Sequence, residues 1–354
     1  MATGWSSASR RVDLPRGRLA AQGQRVKIVV TGALGHIGSR LIRTLPDAFP
    51  DASILMVDDL SSQRHCSLFN LPENGRYRFL EVDVLDAELD LIFEGAEAVI
   101  HLAAATNAVD SFSDPAQVER VNFLGTEKVA HACTVSGAAL IFVSTTSVYG
   151  MANGLVNEDC PAADLRPQSP YAESKLRAEQ LLDSLARTDG LRHVTCRFGT
   201  VFGPSPGMRF HTAINKFCWQ AVNDLPLTVW KTALDQQRPY LELDDGVAAL
   251  QFLLGRKVFD GGLLNVLTLN ASVKQIVDEI SAHVPDIRVQ YVDSPIMNQL
   301  SYRVTNRRLA SLGFKTTGML KHGIGETISL LRTLTSGTEG SAIGQDHVAA
   351  AGSV

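Results

Sequence analysis

The stretch RVKIVVTGALGHIGSRLIRTL, residues 25–45, decides the fold class of this chain. It begins with an apolar run at 26–30, which is typical of a buried parallel strand. The glycines Gly32, Gly35 and Gly38 follow, and apolar residues then recur at helical spacing as far as Leu45. A strand, a glycine-rich turn and a helix in this order predict the first unit of a dinucleotide-binding α/β fold.

The glycine-rich turn has a physical reason to lack side chains. The backbone N–H groups at the helix start, at His36 and Ile37, can then approach a pyrophosphate closely. A second apolar run, SILMVDD, ends at Asp58, twenty residues after Gly38. A carboxylate there accepts hydrogen bonds from the adenosine ribose and repels a 2′-phosphate, so the pattern predicts NAD rather than NADP.

Three further apolar segments continue the alternation of strands and helices. They are YRFLEVDV, which ends near Asp83, AVIHLAAA at 98–105 and ALIFVSTTSVYG at 139–150. The alternation predicts a parallel, doubly wound sheet of the Rossmann type, whose ligands lie beyond the carboxyl ends of the strands. The residues predicted at those ends are Gly32, Asp58, Asp83, Leu102, Ala103, Ala104, Ser144 and Thr145.

The segment SPYAESK, residues 169–175, places Tyr171 and Lys175 one helical turn apart on the same face. The pKa of a free phenol is about 10, so a tyrosine is a poor base at neutral pH. A nearby ammonium, together with the positive nicotinamide ring, would stabilise the phenolate and lower that pKa. The preceding strand delivers Thr145, whose hydroxyl would share a hydrogen bond with a substrate hydroxyl. These three side chains predict an alcohol-oxidising centre beside NAD.

The composition argues against several other classes of protein. The 354 residues carry a formal net charge of −4, which does not indicate a nucleic-acid surface. No apolar stretch approaches the roughly 20 residues of a membrane helix. No metal site is expected, because the nine histidines lack ligand spacing with one another or with cysteine. The five scattered cysteines indicate reduced thiols and a cytoplasmic setting.

Both ends of the chain are predicted to be disordered extensions. Residues 1–25 are rich in Ser, Arg and Gly and lack the apolar core of a secretory signal, although such a start also resembles an organelle transit peptide. The stretch at 335–354 is small and polar. The folded body is therefore expected to begin at about residue 26 and to end at about 334.

A series of motifs resembles the NAD-dependent sugar-nucleotide epimerase/dehydratase family of extended short-chain dehydrogenases/reductases, its UDP-glucose 4-epimerases included. In chain order they are TGALGHIG (31–38), VDDLSS (57–62), VDV (82–84), HLAAAT (101–106), VNFLGT (121–126), VSTTSVYG (143–150), SPYAESK (169–175), RFGTVFGP (197–204) and RPYLELDD (238–245). The resemblance implies a retained NAD, a nucleoside-diphosphate sugar as substrate, and a first step that oxidises a sugar carbon to a ketone. It also implies that Asp83 and Val84 flank the adenine and that Asn122 supports the strand ends near the cofactor.

The same resemblance divides the chain into an NAD-binding domain at 26–196 and a smaller, mainly substrate-binding part at 197–334. An arginine at the place of Arg238 binds the diphosphate in the family, and a guanidinium fork suits that group. Thr200 stands where many relatives carry Asn, and it offers one hydrogen bond instead of the pair from an amide. Asn215 and Lys216 are further substrate candidates, with a helix-surface position as the alternative, and Thr106 joins them from the first half.

The residues after Thr145 favour one reaction of the family. Family dehydratases carry Asp and Glu directly after the threonine, whereas this chain has Thr146 and Ser147. A 4-epimerase needs no additional base, because the ketone only turns over and accepts hydride on its other face. The sequence therefore favours an epimerase, and the resemblance implies C4 as the reacting carbon. A dehydratase that uses Glu158 or Cys160 as its base, or an enzyme like sulfoquinovose synthase, is the alternative.

A hypothesis from another class is a non-catalytic, NAD-sensing regulator on the same fold. Such relatives typically lose the tyrosine, which is present in this chain. The resemblance also implies a homodimer formed through helices at about 116–135 and 173–186. The apolar positions of these helices would otherwise cover only the chain's own sheet.

Overall fold

The structure of the protein, a computed structural model, describes residues 26–150, 154–293 and 301–335. The extension predicted at 1–25 lies outside the described residues, and so does the tail predicted at 335–354 apart from Thr335, which ends the last helix. Within the described part, no helix is both long enough and apolar enough to cross a membrane.

The strands are short, as expected for a sheet joined by helices. In chain order they are β1 (Lys27–Thr31), β2 (Ser53–Asp58), β3 (Arg76–Glu81), β4 (Ala98–His101), β5 (Ala139–Thr145), β6 (Leu155–Val156), β7 (His193–Phe198), β8 (Thr200–Phe202), β9 (Leu227–Trp230), β10 (Gln237–Glu242), β11 (Leu263–Val266), β12 (Leu269–Ser272), β13 (Val289–Val292) and β14 (Arg303–Val304).

The helices alternate with these strands. They are α1 (His36–Ala48), α2 (Leu89–Phe93), α3 (Pro115–Val118), α4 (Gly125–Ser136), α5 (Pro170–Thr188), α6 (Ala213–Val222), α7 (Leu243–Arg256), α8 (Val273–His283), α9 (Arg307–Ser311) and α10 (Leu320–Thr335). A π-helical turn, Glu119–Leu124, joins α3 to α4 without a break in the chain's helical path.

A seven-stranded sheet forms the centre of the fold. Its strand order is β11-β7-β5-β4-β1-β2-β3, and every neighbouring pair runs parallel. Parallel strands are joined by crossover helices, which here cover both faces of the sheet. On one face α1 and α7 pack together, and on the other face α4 contacts both α2 and α5. The predicted doubly wound α/β class is confirmed.

The chain after β7 supplies both the smaller part and one edge of the large sheet. β11 returns to pair with β7, and α7 packs on α1. The smaller part contains the sheet β12-β10-β8 and the pair β13-β9. Its core, which includes Phe217, Ile276 and Ile328, lies between α6, α8 and α10. The boundary predicted between 196 and 197 falls inside β7, whose pairing continues to Phe198.

A buried carboxylate fixes the last helix to the smaller sheet. Glu242 at the end of β10 accepts hydrogen bonds from the Met319 N–H and from His322 Nδ1, both at 2.7 Å. The exposed Glu326 lies one turn beyond His322, and the three side chains could geometrically surround a cation. Hydrogen bonds account for the buried member, so we assign this cluster to anchoring α10.

Candidate active site

The glycine-rich turn packs so closely on its neighbours that side chains would not fit there. Gly32 has a φ of +64°, and a Cβ on it would lie 2.6 Å from the backbone N of Ala103. A Cβ on Gly38 would lie 2.4 Å from the carbonyl oxygen of Gly32. The turn therefore lies directly against the segment after β4, and the start of α1 lies against the turn, in the arrangement that a dinucleotide-binding turn requires.

Asp58 is the last residue of β2 and forms hydrogen bonds with the backbone of the glycine-rich turn. Its Oδ2 accepts a hydrogen bond from the Leu34 N–H, and its Oδ1 accepts one from the Leu60 N–H, both at 3.0 Å. Burial raises the pKa of the Asp58 carboxyl, and the two backbone hydrogen bonds oppose this shift. Each oxygen keeps a second lone pair. The predicted bonds to the adenosine ribose therefore stay a prediction that the geometry permits.

Asp83 and Val84 follow β3, which ends at Glu81, and do not belong to the strand. The Asp83 Oδ1 accepts a hydrogen bond from the Leu85 N–H at 2.8 Å, and Val84 is buried beside Gly125. Their contact with the adenine stays a prediction.

Asn122 lies in the π-helical turn, a feature that is frequent at functional sites. Its buried amide accepts a hydrogen bond from the Ala105 N–H at 2.8 Å and donates to the Ala105 carbonyl at 3.0 Å. It also donates to the Ser174 hydroxyl at 3.2 Å. One side chain thus joins the segment after β4 to α5, the helix that carries Tyr171.

Tyr171 lies in the first turn of α5, next to the end of β5. The side chain of Thr145, the last residue of β5, lies beside this phenol and interacts with it. Burial raises the pKa of the phenol, while the Arg209 guanidinium and the Thr145 side chain oppose the rise. The phenol that would exchange the proton and the Thr145 hydroxyl that would orient the substrate therefore lie side by side.

Lys175 lies one turn further along α5 and is buried. Its Nζ donates to the Val143 carbonyl at 2.9 Å and lies 4.7 Å from the ring centroid of Phe142. Burial lowers the pKa of Lys175 to about 7, and the Glu179 carboxylate opposes the shift. Because the ammonium is directed at Val143, Arg209 is the cation that lowers the pKa of Tyr171 here, whereas the sequence predicts Lys175 for this effect.

Glu179 continues this face of α5 one turn beyond Lys175. Its buried carboxylate accepts hydrogen bonds from Arg197 on β7 at 2.6, 3.0 and 3.2 Å. It also accepts one at 2.5 Å from the hydroxyl of Ser144 on β5. The predicted cofactor residue Ser144 thus directs its hydroxyl at Glu179, although the residue still lines the cavity beside Tyr171.

A cavity of about 360 Å³ opens beside Tyr171. It is lined by fifteen of the predicted site residues, namely Gly32, Gly35, His36, Ile37, Gly38, Leu102, Ala104, Thr106, Ser144, Thr145, Tyr171, Lys175, Thr200, Lys216 and Arg238. The other six do not line it, namely Asp58, Asp83, Val84, Ala103, Asn122 and Asn215. Most of the predicted site is therefore brought together, with members from both halves of the chain.

Asn215 and Lys216 separate into two different roles. Successive helical residues point about 100° apart, so the two side chains cannot share one face. Lys216 lines the cavity. The buried amide of Asn215 instead accepts from the Gly203 N–H at 3.2 Å and donates to the Arg209 carbonyl at 3.0 Å. The structure therefore places this substrate candidate in a loop contact outside the cavity.

Three basic residues near the cavity are not among the sequence predictions. Arg209 and His211 line the cavity from the GPSPGMRFH loop, and Arg64 interacts electrostatically with Arg209. Within the described part of the chain, the buried Nε of Arg209 has no hydrogen-bond partner. The available signal was a cation in a loop of glycine and proline directly after RFGTVFGP.

The charge of the cavity is one-sided. Lys175, Arg209, Lys216 and Arg238 line it, and no Asp or Glu does so among the described residues. A cavity of this kind attracts anionic ligands such as diphosphates.

Comparison with known proteins decides the family. The family described as NAD dependent epimerase/dehydratase has a sequence model that matches residues 28–266. The chain belongs to this family. NAD is accordingly its cofactor.

Relatives in the family are moderately similar to this chain. The trifunctional UDP-glucose 4,6-dehydratase/UDP-4-keto-6-deoxy-D-glucose 3,5-epimerase/UDP-4-keto-L-rhamnose-reductase RHM3 of Arabidopsis thaliana is 29% identical over 85% of this chain and 46% of that protein. The chain thus spans about half the length of this relative. The uncharacterized UDP-glucose epimerase YtcB of Bacillus subtilis is 31% identical over 68% of this chain and 76% of that protein.

A solved structure supports the same family. It is the UDP-glucuronic acid 4-epimerase from Bacillus cereus in complex with UDP-glucuronic acid and NAD. It shares 25% sequence identity and a TM-score of 0.80 with this chain, over 87% of this chain and 100% of that chain.

The residues of this chain fit the cofactor of the family. Gly35 leaves the surface of the glycine-rich turn open, since a Cβ there would meet only the Gly32 oxygen at 3.3 Å and Arg209 Nη2 at 3.6 Å. Asp58 lies beside the turn, and Tyr171 and Lys175 line the same cavity as the glycines of the turn. These residues would hold NAD along the carboxyl ends of the strands.

Replacing Glu179 with glutamine should lower the free energy of unfolding by about 3–5 kcal/mol, because Arg197 would stay buried without its counter-charge. Glu119 is the matched control, since it pairs with Arg177 of the same helix at 2.7 Å on the exposed surface. E119Q should lower that free energy by less than about 1 kcal/mol. Denaturant unfolding measures both, and equal losses would contradict the role assigned to the buried pair.

The low pKa of Lys175 predicts a pH-dependent stability in protein freed of NAD. Lys175 loses its proton near pH 7 when folded, and keeps it to about pH 10.4 when unfolded. Between these limits the unfolded state binds more protons, so the free energy of unfolding should rise with pH. Denaturant unfolding at pH 7 and pH 9.5 should show a smaller rise in K175M than in the wild type. Identical pH slopes would exclude a titrating Lys175.

Proposed function

We propose that the protein is an NAD-dependent epimerase of a nucleoside-diphosphate sugar, which oxidises the sugar hydroxyl at C4 to a ketone and reduces it again on the opposite face. One observation carries the proposal. Tyr171 and Thr145 lie side by side in the lining of a cavity that has four basic side chains and, among the described residues, no carboxylate.

Tyr171 takes the proton of the sugar hydroxyl in the first half of the reaction and returns it in the second. Thr145, which lies beside the phenol, orients that hydroxyl. Arg209 favours the phenolate by its charge, and Lys175 offers donors to the nicotinamide ribose. Bound NAD supplies the hydride acceptor and, after the ketone has turned over, the hydride donor.

Arg238 and Lys216 hold the diphosphate of the substrate in this proposal. Both line the cavity, Arg238 from β10 and Lys216 from α6. A guanidinium binds a phosphate through two parallel hydrogen bonds, and an ammonium binds it as a point charge. Thr200 lies on β8, in register with Tyr240 of β10, and offers a hydroxyl to the same ligand.

The missing carboxylate separates an epimerase from a 4,6-dehydratase. Elimination of water from C5 and C6 requires an additional acid/base group beside the ketone. Thr146 is buried and bonds to Tyr302, and Ser147 lines the cavity with a hydroxyl only. The two alternative bases lie outside the cavity lining, and the Glu158 carboxylate accepts from the Asn265 N–H at 2.8 Å.

A 4,6-dehydratase is nevertheless the second candidate, because relatives of similar identity carry that activity in their names. An enzyme like sulfoquinovose synthase is a third, on the resemblance of the segment HTAINKFCWQAV. A non-catalytic regulator is disfavoured, since the complete set of Thr145, Tyr171 and Lys175 would have no use in it.

We place this enzyme in the cytoplasm as a homodimer. The five cysteines are free in the structure, which suits a reducing compartment. Val135 on α4 and Leu124 in the π-helical turn are 71% and 42% exposed, and a second copy would cover such apolar positions. Sedimentation of the purified protein would measure the oligomeric state.

Product analysis with a panel of UDP-, GDP-, ADP- and dTDP-sugars tests the reaction. An epimerase yields a product of unchanged mass with one hydroxyl inverted. A product that has lost water would replace the proposal with a dehydratase, and incorporation of added sulfite would replace it with a synthase. Tight NAD binding without turnover of any sugar would favour the regulator.

The variant Y171F should reduce kcat by about 10²- to 10⁴-fold on the sugar that the wild type converts, because the proton acceptor is lost. Bound NAD should stay at the wild-type level, since the phenyl ring keeps the shape of the site. The matched control is Y77F. Tyr77 donates its hydroxyl to the Ile42 carbonyl at 3.0 Å, outside the cavity lining, so kcat should not change. Full turnover by Y171F would refute the assigned chemistry.

A further inference from the structure

A loop from the smaller part lies across the glycine-rich turn. We call residues 203–209 the strap. The His36 ring donates from Nε2 to the Gly203 carbonyl at 2.8 Å, and the Ser205 hydroxyl donates to the His36 carbonyl at 2.9 Å. The Gly207 N–H donates to the Ser39 hydroxyl at 2.9 Å. With the Ser39 hydroxyl, which donates to the Ser205 hydroxyl at 3.2 Å, four hydrogen bonds join the strap to the start of α1, the segment predicted to bind the pyrophosphate.

Gly207 lets the strap lie in direct contact with the turn. A Cβ at this position would fall 2.3 Å from the Leu34 carbonyl oxygen and 2.4 Å from that of Gly35. Both atoms are backbone and cannot rotate away. The α6 residue Asn215 holds the strap at both ends, since it bonds to Gly203 and to Arg209. The strap is therefore a fixed part of the site.

The strap delivers the Arg209 guanidinium to the middle of the predicted cofactor path. The adenosine ribose is expected at Asp58, the pyrophosphate at the glycine-rich turn and the nicotinamide at Tyr171. Arg209 Nη2 lies 3.6 Å from the Cβ position of Gly35, and the guanidinium interacts electrostatically with both Asp58 and Tyr171. Arg209 therefore lies between the expected positions of the adenosine ribose and the nicotinamide, beside the turn that is expected to bind the pyrophosphate.

The surroundings of Arg209 disfavour its positive charge and leave one of its donors unsatisfied. Burial, and then repulsion from Arg64, lower the pKa of its guanidinium, and its Nε has no hydrogen-bond partner among the described residues. The attraction to Asp58 does not cancel these two effects, because the pKa of Arg209 stays below its ordinary value. An anion beside the two guanidinium groups would remove the repulsion and supply the missing acceptor.

We infer that Arg209 binds the pyrophosphate of NAD and that the strap encloses the cofactor against the glycine-rich turn. The inference rests on the cofactor of the family and is independent of the sugar. It assigns cofactor retention to a segment of the substrate half. A dinucleotide held in this way leaves only when the strap separates from the turn, which suits a reaction that regenerates its cofactor in every cycle.

The test is the rate at which the purified holoenzyme releases NAD, measured by exchange against excess isotopically labelled NAD without any sugar. R209M should release NAD about 10- to 100-fold faster than the wild type, because a charge-assisted bond is lost. G207A should accelerate release as well, because its Cβ would push the strap off the turn. R209K should fall between R209M and the wild type, since an ammonium keeps the charge without the fork.

Two controls match the substitutions. Arg40 forms an exposed ion pair with Asp244, so R40M should release NAD at the wild-type rate. A Cβ on Gly255 in α7 would meet the Phe49 ring at an ordinary 3.7 Å, so G255A should do the same. Thermal unfolding with and without NAD shows whether each variant folds, and the stabilisation by NAD should be smaller in R209M.

Wild-type release rates in both R209M and G207A would overturn the inference. Unchanged release with a raised KM for the sugar nucleotide in R209M would instead assign Arg209 to the substrate. These outcomes differ from failure of the proposed function, in which the wild type retains NAD and converts no sugar.

Discussion

The position of the catalytic helix depends on one buried ion pair. Tyr171, Lys175 and Glu179 lie on successive turns of α5, and Arg197 binds the last of them from β7. A buried pair is favourable only in one close geometry, because both charges have lost their water. The pair therefore fixes both the rotation of α5 and its height above the sheet. Tyr171, two turns away, reaches Thr145 as a consequence.

The same carboxylate also sets the charge of the site. Burial disfavours the Lys175 ammonium, and the Glu179 carboxylate favours it. Without Glu179 the lysine would be further neutralised, and it would be a weaker donor to the nicotinamide ribose. The ion pair that holds the helix is thus the ion pair that keeps its lysine available as a cation. A substitution of Glu179 would therefore change both the position of α5 and the charge of Lys175.

Local patterns were sufficient to predict the fold and the centre of the site. The GxxGxxG turn and the spacing of Tyr171 and Lys175 are short-range features, and helical geometry alone brings the pair to one face. Arg209 and Asn215 could not be placed in this way. Their positions depend on how a loop from the second half of the chain packs on α1. The residues in contact there are separated by more than 160 residues in the sequence. Glu179 was also missed, because a polar residue in a helix usually faces solvent.

The strap belongs to the predicted substrate-binding half of the chain but packs on the cofactor-binding half. Its sequence lies in the segment predicted to bind the sugar nucleotide, yet its hydrogen bonds go to the start of α1. Four basic side chains from both halves line one cavity, and their mutual repulsion destabilises this arrangement unless anions are present. A ligand that binds only the folded state stabilises it by mass action. The phosphates of a bound dinucleotide would therefore attract basic side chains from both halves of the chain. The negative charge of the cofactor would in this way stabilise the folded protein.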